Sequence, residues 1–289
     1  MLSRQQIEQY HETGYLVVEN VFRPELFSEI RQVVAEIADG AAQVDTHTDV
    51  YDLEPGHTRA TPRLRRIKTP HKHHEIFMRA ARAPEMAAIC TQLLGPSGVR
   101  LYGSKINLKS PRYGSPVEWH QDWAFYPHTN DDLAAVGVML DDMTPDNGPM
   151  LMLPGSHKGP VYDHHANGYF VGGIDPVREK LDFEGAQPCL GKAGSITIHH
   201  VRLVHGSASN LSALQRRFLI LQYRAADAWP LLWAPLDFAE YTALLVSGEE
   251  TVAPRMENIP VRLRYPSKPN QWSIYENQRE LENTYFSKK

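Results

Sequence analysis

Residues 118–128 read EWHQDWAFYPH, and two of them, His120 and Asp122, stand two apart. On an extended strand that spacing turns both side chains toward one face. An imidazole and a carboxylate so placed can ligate a metal, relay a proton, or simply satisfy one another inside a β-rich core. Much later in the chain come His205, in LVHGSASN, and Arg216, at the head of RRFLILQY. Two histidines and one carboxylate on one side of a metal leave three positions open, the arrangement that non-haem Fe(II) oxygenases use for co-substrate and dioxygen. An arginine beside such a site offers a planar fork for the carboxylate of an organic acid. The His-x-Asp pair alone is a weak signal. A distal histidine followed by glycine, with an arginine on the next strand, strengthens it sharply.

Other residues near these have plainer readings. Gln121, between the two candidate ligands, should face away from them. Trp119, Trp123, Phe125 and Tyr126 flank the pair and can serve either as core or as pocket wall; Trp123 and Phe125 are carried as pocket candidates. His128 follows Pro127 in a turn and is expected at the surface, as are His164 and His165. His199 and His200 precede the strand of His205 and are read as bystanders. His71, His73 and His74 form a polar helix start. Ser156 and His157 are adjacent on the chain, and no G-x-S-x-G elbow is present, so a serine hydrolase is excluded.

The elements that must position these groups change in texture along the chain. Residues 1–97 read as mostly helical: Ser3 caps a segment ending at Gly14, YLVVENVF is a strand, Pro24 opens a helix that Gly40 can end, and IFMRAAR and PEMAAICTQLL are two short helices closed by Gly95. Residues 41–63 look like a long polar loop. From 98 to about 230, short β-like runs alternate with turn clusters such as TPDNGP and SPRYGSP. Residues 155–190 show little periodicity and read as an inserted loop of the kind that often forms a lid. Residues 231–289 form a C-terminal extension, and one domain spans the 289 residues. Strands at this density point to a jelly-roll barrel, mainly β, with the early helices packed outside its larger sheet.

Composition limits the partners. A formal net charge of −4 gives no reason to expect nucleic acid or an anionic membrane. The apolar runs are too short to span a bilayer, and the first residues lack the apolar core of a secretory signal. Two cysteines without a CxxC imply neither a disulfide framework nor a thiolate zinc site, which fits a cytoplasmic setting.

The phrases WHQDWAFYP (119–127), NGPMLMLPGSHKG (147–159) and HGSASN…RRFLILQYR (205–224), with KINLKSPRYGSPVEWHQD before them and GYLVVENVF near the start, resemble the phytanoyl-CoA dioxygenase family of Fe(II)- and 2-oxoglutarate-dependent oxygenases. The resemblance implies a double-stranded β-helix, cupin-like core. It implies that His120, Asp122 and His205 bind iron, and that Arg216 pairs with the distal carboxylate of 2-oxoglutarate while Arg217 points to the other face. It also places Lys105 against 2-oxoglutarate and brings one basic residue of the earlier loop, among Arg65, Arg66 and Lys68, to the site; Arg66 is carried as the candidate. Where some members have a tryptophan near the iron, this chain has Val138.

The implied reaction consumes O2 and 2-oxoglutarate, releases succinate and CO2, and hydroxylates an unactivated C–H bond of a small-molecule metabolite. Desaturation, epoxidation or cyclisation are alternatives with the same ligands. A cupin-like metal isomerase or hydrolase, or a non-catalytic metabolite-binding barrel, are more distant ones. The intact Asp122 favours oxygen transfer over halogenation, for which related enzymes have a small residue in its place.

Overall fold

The computed structural model describes residues 1–232, 237–267 and 273–287. Helix α1 (Arg4–Thr13) begins with a reciprocal cap, in which Ser3 accepts from the Gln6 amide while the Gln6 side chain accepts from the Ser3 amide. It ends where Gly14 turns left-handed, and strand β1 (Tyr15–Val18) follows. Helix α2 (Pro24–Asp39) has proline in its first turn and buries Ile30, Val33 and Val34, spaced to share one face. Gly40 does not end it sharply: it stays right-handed, and the chain tightens into a 3-10 turn over Gly40–Gln43.

The stretch expected as loop then yields β2 (Tyr51–Leu53) and, just beyond it, β3 (Leu64–Lys68), an antiparallel pair. Neither has a long alternating run, so neither announces itself as strand; pairing of β3 to a longer neighbour stabilises both. Helices α3 (Ile76–Ala81) and α4 (Pro84–Leu94) come next, and Gly95 closes α4.

The β-core comprises β4 (Gly98–Lys109), β5 (Val117–His120), β6 (Leu133–Met139), β7 (Met150–Met152), the short pair β8 (His165–Ala166) and β9 (Tyr169–Phe170), β10 (Gln187–Pro188), β11 (Ile196–His200), β12 (His205–Ser207) and β13 (Arg216–Ala225). After it come α5 (Phe238–Thr242), β14 (Leu245–Gly248) and α6 (Ile274–Asn277). The large sheet runs β1-β11-β6-β13-β4-β3-β2, with β14 also on β4; the small one runs β10-β7-β12-β5. Every pairing is antiparallel. Two facing antiparallel sheets with these crossovers are the jelly roll that the strand density predicts.

Side-chain alternation divides the large sheet's two faces. Val136, Val138, Ile196, Ile198, Leu219 and Leu221 pack with Ile30, Val34, Phe77 and Met86 of the helices. The intervening Ala135, Met139, Phe218 and Ile220 point into the barrel and meet Met150 and Met152 of the small sheet. Gly137 lies on this inner face, where a Cβ would come within 1.9 Å of the Phe218 ring, so no other residue fits beneath that phenylalanine.

Candidate metal centre and cavity

Strands β5 and β12 pair so that His120 and His205 are directly opposite. Their rings lie 4.1 Å apart between centroids. Asp122 begins the 3-10 turn that follows β5 and returns its carboxylate to the same place. One donor atom from each of the three lies within 4.8 Å of the others, and all three residues are buried. His120 Nδ1 bonds to the Glu118 carbonyl and His205 Nδ1 to the Leu203 carbonyl, both at hydrogen-bond distance (2.8 and 2.9 Å). Those bonds fix the Nδ1–H tautomer and leave each Nε2 lone pair free for a metal.

The charge states suit a metal as well. Burial pushes the His120 imidazolium down to about 4 and that of His205 well below its ordinary range, so both rings are neutral at pH 7. Burial would raise Asp122, but the His199 ring, the Lys105 ammonium and His205 outweigh it and hold the carboxylate well below its usual range. Two neutral imidazoles and an ionised carboxylate are the donor set that Fe(II) takes, with room for further ligands.

The triad opens into a cavity of about 410 Å³. Lys105 and Asn107 of β4 and Ile220 and Gln222 of β13 form one wall, Phe125, Tyr126 and Phe170 another. Outside this lining, behind Ser207, Arg216 and Lys109 occupy opposite positions on β13 and β4. Arg216 is buried; its Nη2 donates to the Gly148 carbonyl (2.8 Å) while its Nε has no partner. Lys109 donates to Ser207 Oγ (2.9 Å) and to the Ala208 carbonyl. Neither forms an ion pair among the described residues. Burial pushes Arg216 down to about 10 and Lys109 well below its usual range, the arginine adding to the effect on the lysine. Two buried basic side chains side by side, without an ion-pair partner among the described residues, are groups that an anion would stabilise.

The expected site residues separate on inspection. Phe125, Lys105 and Arg66 line the cavity; Arg66 is paired with Asp52 (Nε to Oδ2, 2.7 Å), whereas Arg65 turns away to Glu54 and Glu276. Val138 and Trp123 do not line it. Val138 faces the helices, one residue out of step with the inner face, and Trp123 packs with Leu133, Val201 and Ala225, its Nε1 donating to Pro260 O (2.9 Å). Arg217 takes the opposite face from Arg216 and pairs with Asp141 (2.7 Å). Gln121 turns from the triad to bond the Pro160 and Arg202 carbonyls.

Two histidines expected at the surface are buried instead. His128 meets Arg224 (2.8 Å), and His164 accepts from the Gln121 amide (2.9 Å). His199, read as a bystander, lines the cavity with its Nε2 3.4 Å from Asp122 Oδ2. Lys109 and His199 were missed because their places depend on strand register; the inward alternation from Lys105 to Lys109 was the available signal.

Comparison with known proteins fits this geometry. In fold, the chain resembles the crystal structure of EctD from S. alaskensis with bound Fe (TM-score 0.66, 23% identity, 89% of this chain and 87% of that one). The profile of the phytanoyl-CoA dioxygenase (PhyH) family matches residues 10–218, and the chain belongs to that family. Among curated relatives, a probable alpha-ketoglutarate-dependent hypophosphite dioxygenase of Stutzerimonas stutzeri is 41% identical over 99% of this chain and all of its own. An L-proline trans-4-hydroxylase of Streptomyces griseoviridis is 31% identical over 58% of this chain and 69% of its own length. The protein is an Fe(II)- and 2-oxoglutarate-dependent dioxygenase acting on a small molecule. No helix among the described residues is long and apolar enough to cross a membrane.

Proposed function

We propose that this enzyme oxidises a small anion, with hypophosphite as the first candidate, through an iron held by His120, Asp122 and His205. The observation that supports the site assignment is the buried Arg216–Lys109 pair, which has no ion-pair partner among the described residues and leaves Arg216 Nε unbonded, suited to the distal carboxylate of 2-oxoglutarate. The substrate reading draws on the relative that matches the chain end to end. When bound, iron with 2-oxoglutarate supplies the oxidising chemistry. The chain's own share is to hold both imidazoles neutral, to orient the co-substrate from Arg216 and Lys109, and to exclude water with Phe125, Tyr126 and Phe170. In the overall reaction one oxygen atom of O2 enters a P–H bond, giving phosphite, and the other ends in succinate as 2-oxoglutarate loses CO2.

A second reading, hydroxylation of a C–H bond in a small organic acid, has its own support. The cavity is lined in part by the aromatic rings of Tyr102, Phe125, Tyr126, Phe170 and Tyr275. We also read residues 1–289 as one catalytic domain in a cytosolic setting, since the helices share an apolar core with the large sheet and both cysteines are free and buried.

Two measurements test this. Anaerobic addition of Fe(II) and then 2-oxoglutarate should give the visible charge-transfer band of the chelate, and its absence would remove the oxygenase site assignment. Incubation with O2 and hypophosphite, L-proline or ectoine should yield succinate in step with phosphite for hypophosphite alone. Succinate in step with a hydroxylated organic product would favour the second reading.

A further inference from the structure

The cavity has a second cationic end. On β4, Lys105 lies four residues before Lys109, both on the inner face, so their backbones are separated by about 13 Å at the usual rise of a strand. Lys109 stands opposite Arg216, outside the lining. Lys105 lines the cavity together with Asp122 and has no ion pair among the described residues, in contrast to Arg66, also in the lining, which Asp52 neutralises. Once iron is bound, Asp122 is committed to the metal and is not available to balance Lys105. Arg264 reaches the same cavity from the C-terminal part of the chain, and Tyr102, Asp122 and Tyr126 line it too, the two tyrosine rings 5.1 Å apart.

Arg264 comes from a segment beyond the residues that the family profile matches. Ser273, Ile274, Tyr275 and Asn277 of the same segment also line the cavity. The segment is latched to the strand that carries His120. The buried Glu118 carboxylate accepts from the backbone amides of Tyr285 (2.8 Å), Phe286 (3.1 Å) and Ser287 (2.8 Å). Gln278 accepts from the Glu118 amide (2.9 Å) and donates to the Pro116 carbonyl (2.9 Å). Phe286 packs so closely over β12 that a Cβ on Gly206 would come within 2.6 Å of its ring.

We propose that Lys105 and Arg264 form the specificity-determining pair that receives the substrate's negative charge, with Arg264 presented by the stretch whose Pro266 carbonyl accepts from the Phe170 amide (3.0 Å). This rests on the reading that the substrate is an anion, and it assigns Lys105 to the substrate side of the metal, away from the co-substrate's distal carboxylate.

The test uses the full chain loaded with Fe(II) and 2-oxoglutarate without oxygen. Binding of hypophosphite, acetate and glycine is followed by the shift each causes in the visible chelate band. Lys105→Met and Arg264→Ala should each weaken the bound anion by about tenfold or more, as expected for a lost charged hydrogen bond, while 2-oxoglutarate affinity moves by less than about twofold. Arg264→Lys should recover part of the loss. Unchanged anion binding in both variants, an equal loss of 2-oxoglutarate affinity, or no anion binding by the wild type would overturn the pair. If acetate or glycine binds with this dependence and hypophosphite does not bind, the pair stands and hypophosphite falls.

Discussion

Two parts of the chain meet at the cavity and are held in opposite ways. The two histidines of the triad sit on β5 and β12, where the backbone pairing of the small sheet places His120 against His205, and Asp122 follows in the turn that leaves β5. The segment 273–287 has one turn of helix and one 3-10 turn, and it is held by side chains: from outside by Glu118 and by Asp175, which accepts from the Asn283 amide (3.2 Å), and from within by its own Gln278. A backbone ladder positions ligands whatever its side chains are, whereas a latched segment depends on a handful of named groups. Metal geometry therefore rests on the first kind of support, and the outer cavity wall on the second.

Breaking the ladder side at its centre should have the largest effect. Asp122→Ala leaves two imidazoles and should abolish both the anaerobic chelate band and succinate formation. Next comes Arg216→Ala, which should raise the KM for 2-oxoglutarate about 10- to 100-fold in steady-state assays, as befits a lost charge-assisted hydrogen bond in a buried site. On the latched side, Glu118→Gln replaces an acceptor-only carboxylate by an amide that cannot serve all three backbone donors. The cost should be about 1–3 kcal/mol, read as faster hydrogen exchange at the amides of 285–287, with exchange in β12 little altered. Faster exchange in both regions alike would erase the distinction. The smallest functional effect is expected from Val138→Ala: about 2 kcal/mol lower stability by denaturant melt, with substrate KM unchanged, because that side chain faces the helices.

The sequence carried the triad because ligand chemistry restricts residue types and because the His-x-Asp spacing is local. It carried the barrel because β4, β6, β11 and β13 are long or strongly apolar runs bounded by turns. What it could not carry was parity. Val138 and its neighbour Gly137 look equally eligible for the inner face until pairing with Leu219 and Ile220 decides. Trp123 lies in a 3-10 turn, where the two-residue alternation behind the pocket expectation lapses. Lys109 and His199 owe their places to register with β13 and to the crossover that brings β11 beside β6. Their roles follow from neighbours remote in sequence. The C-terminal wall is the extreme case: its residues 249–267 show no regular element, so no periodicity marks them, although Arg264 lies among them.

The pairing of His120 with His205 also sets when the metal site can come into being. A growing chain that has exposed only EWHQD holds two of the three donors. The third donor arrives with β12, after β6, β7 and β11 have been made, and it reaches the others only once β12 has aligned against β5. The complete set of three donors therefore exists only in a nearly completed barrel.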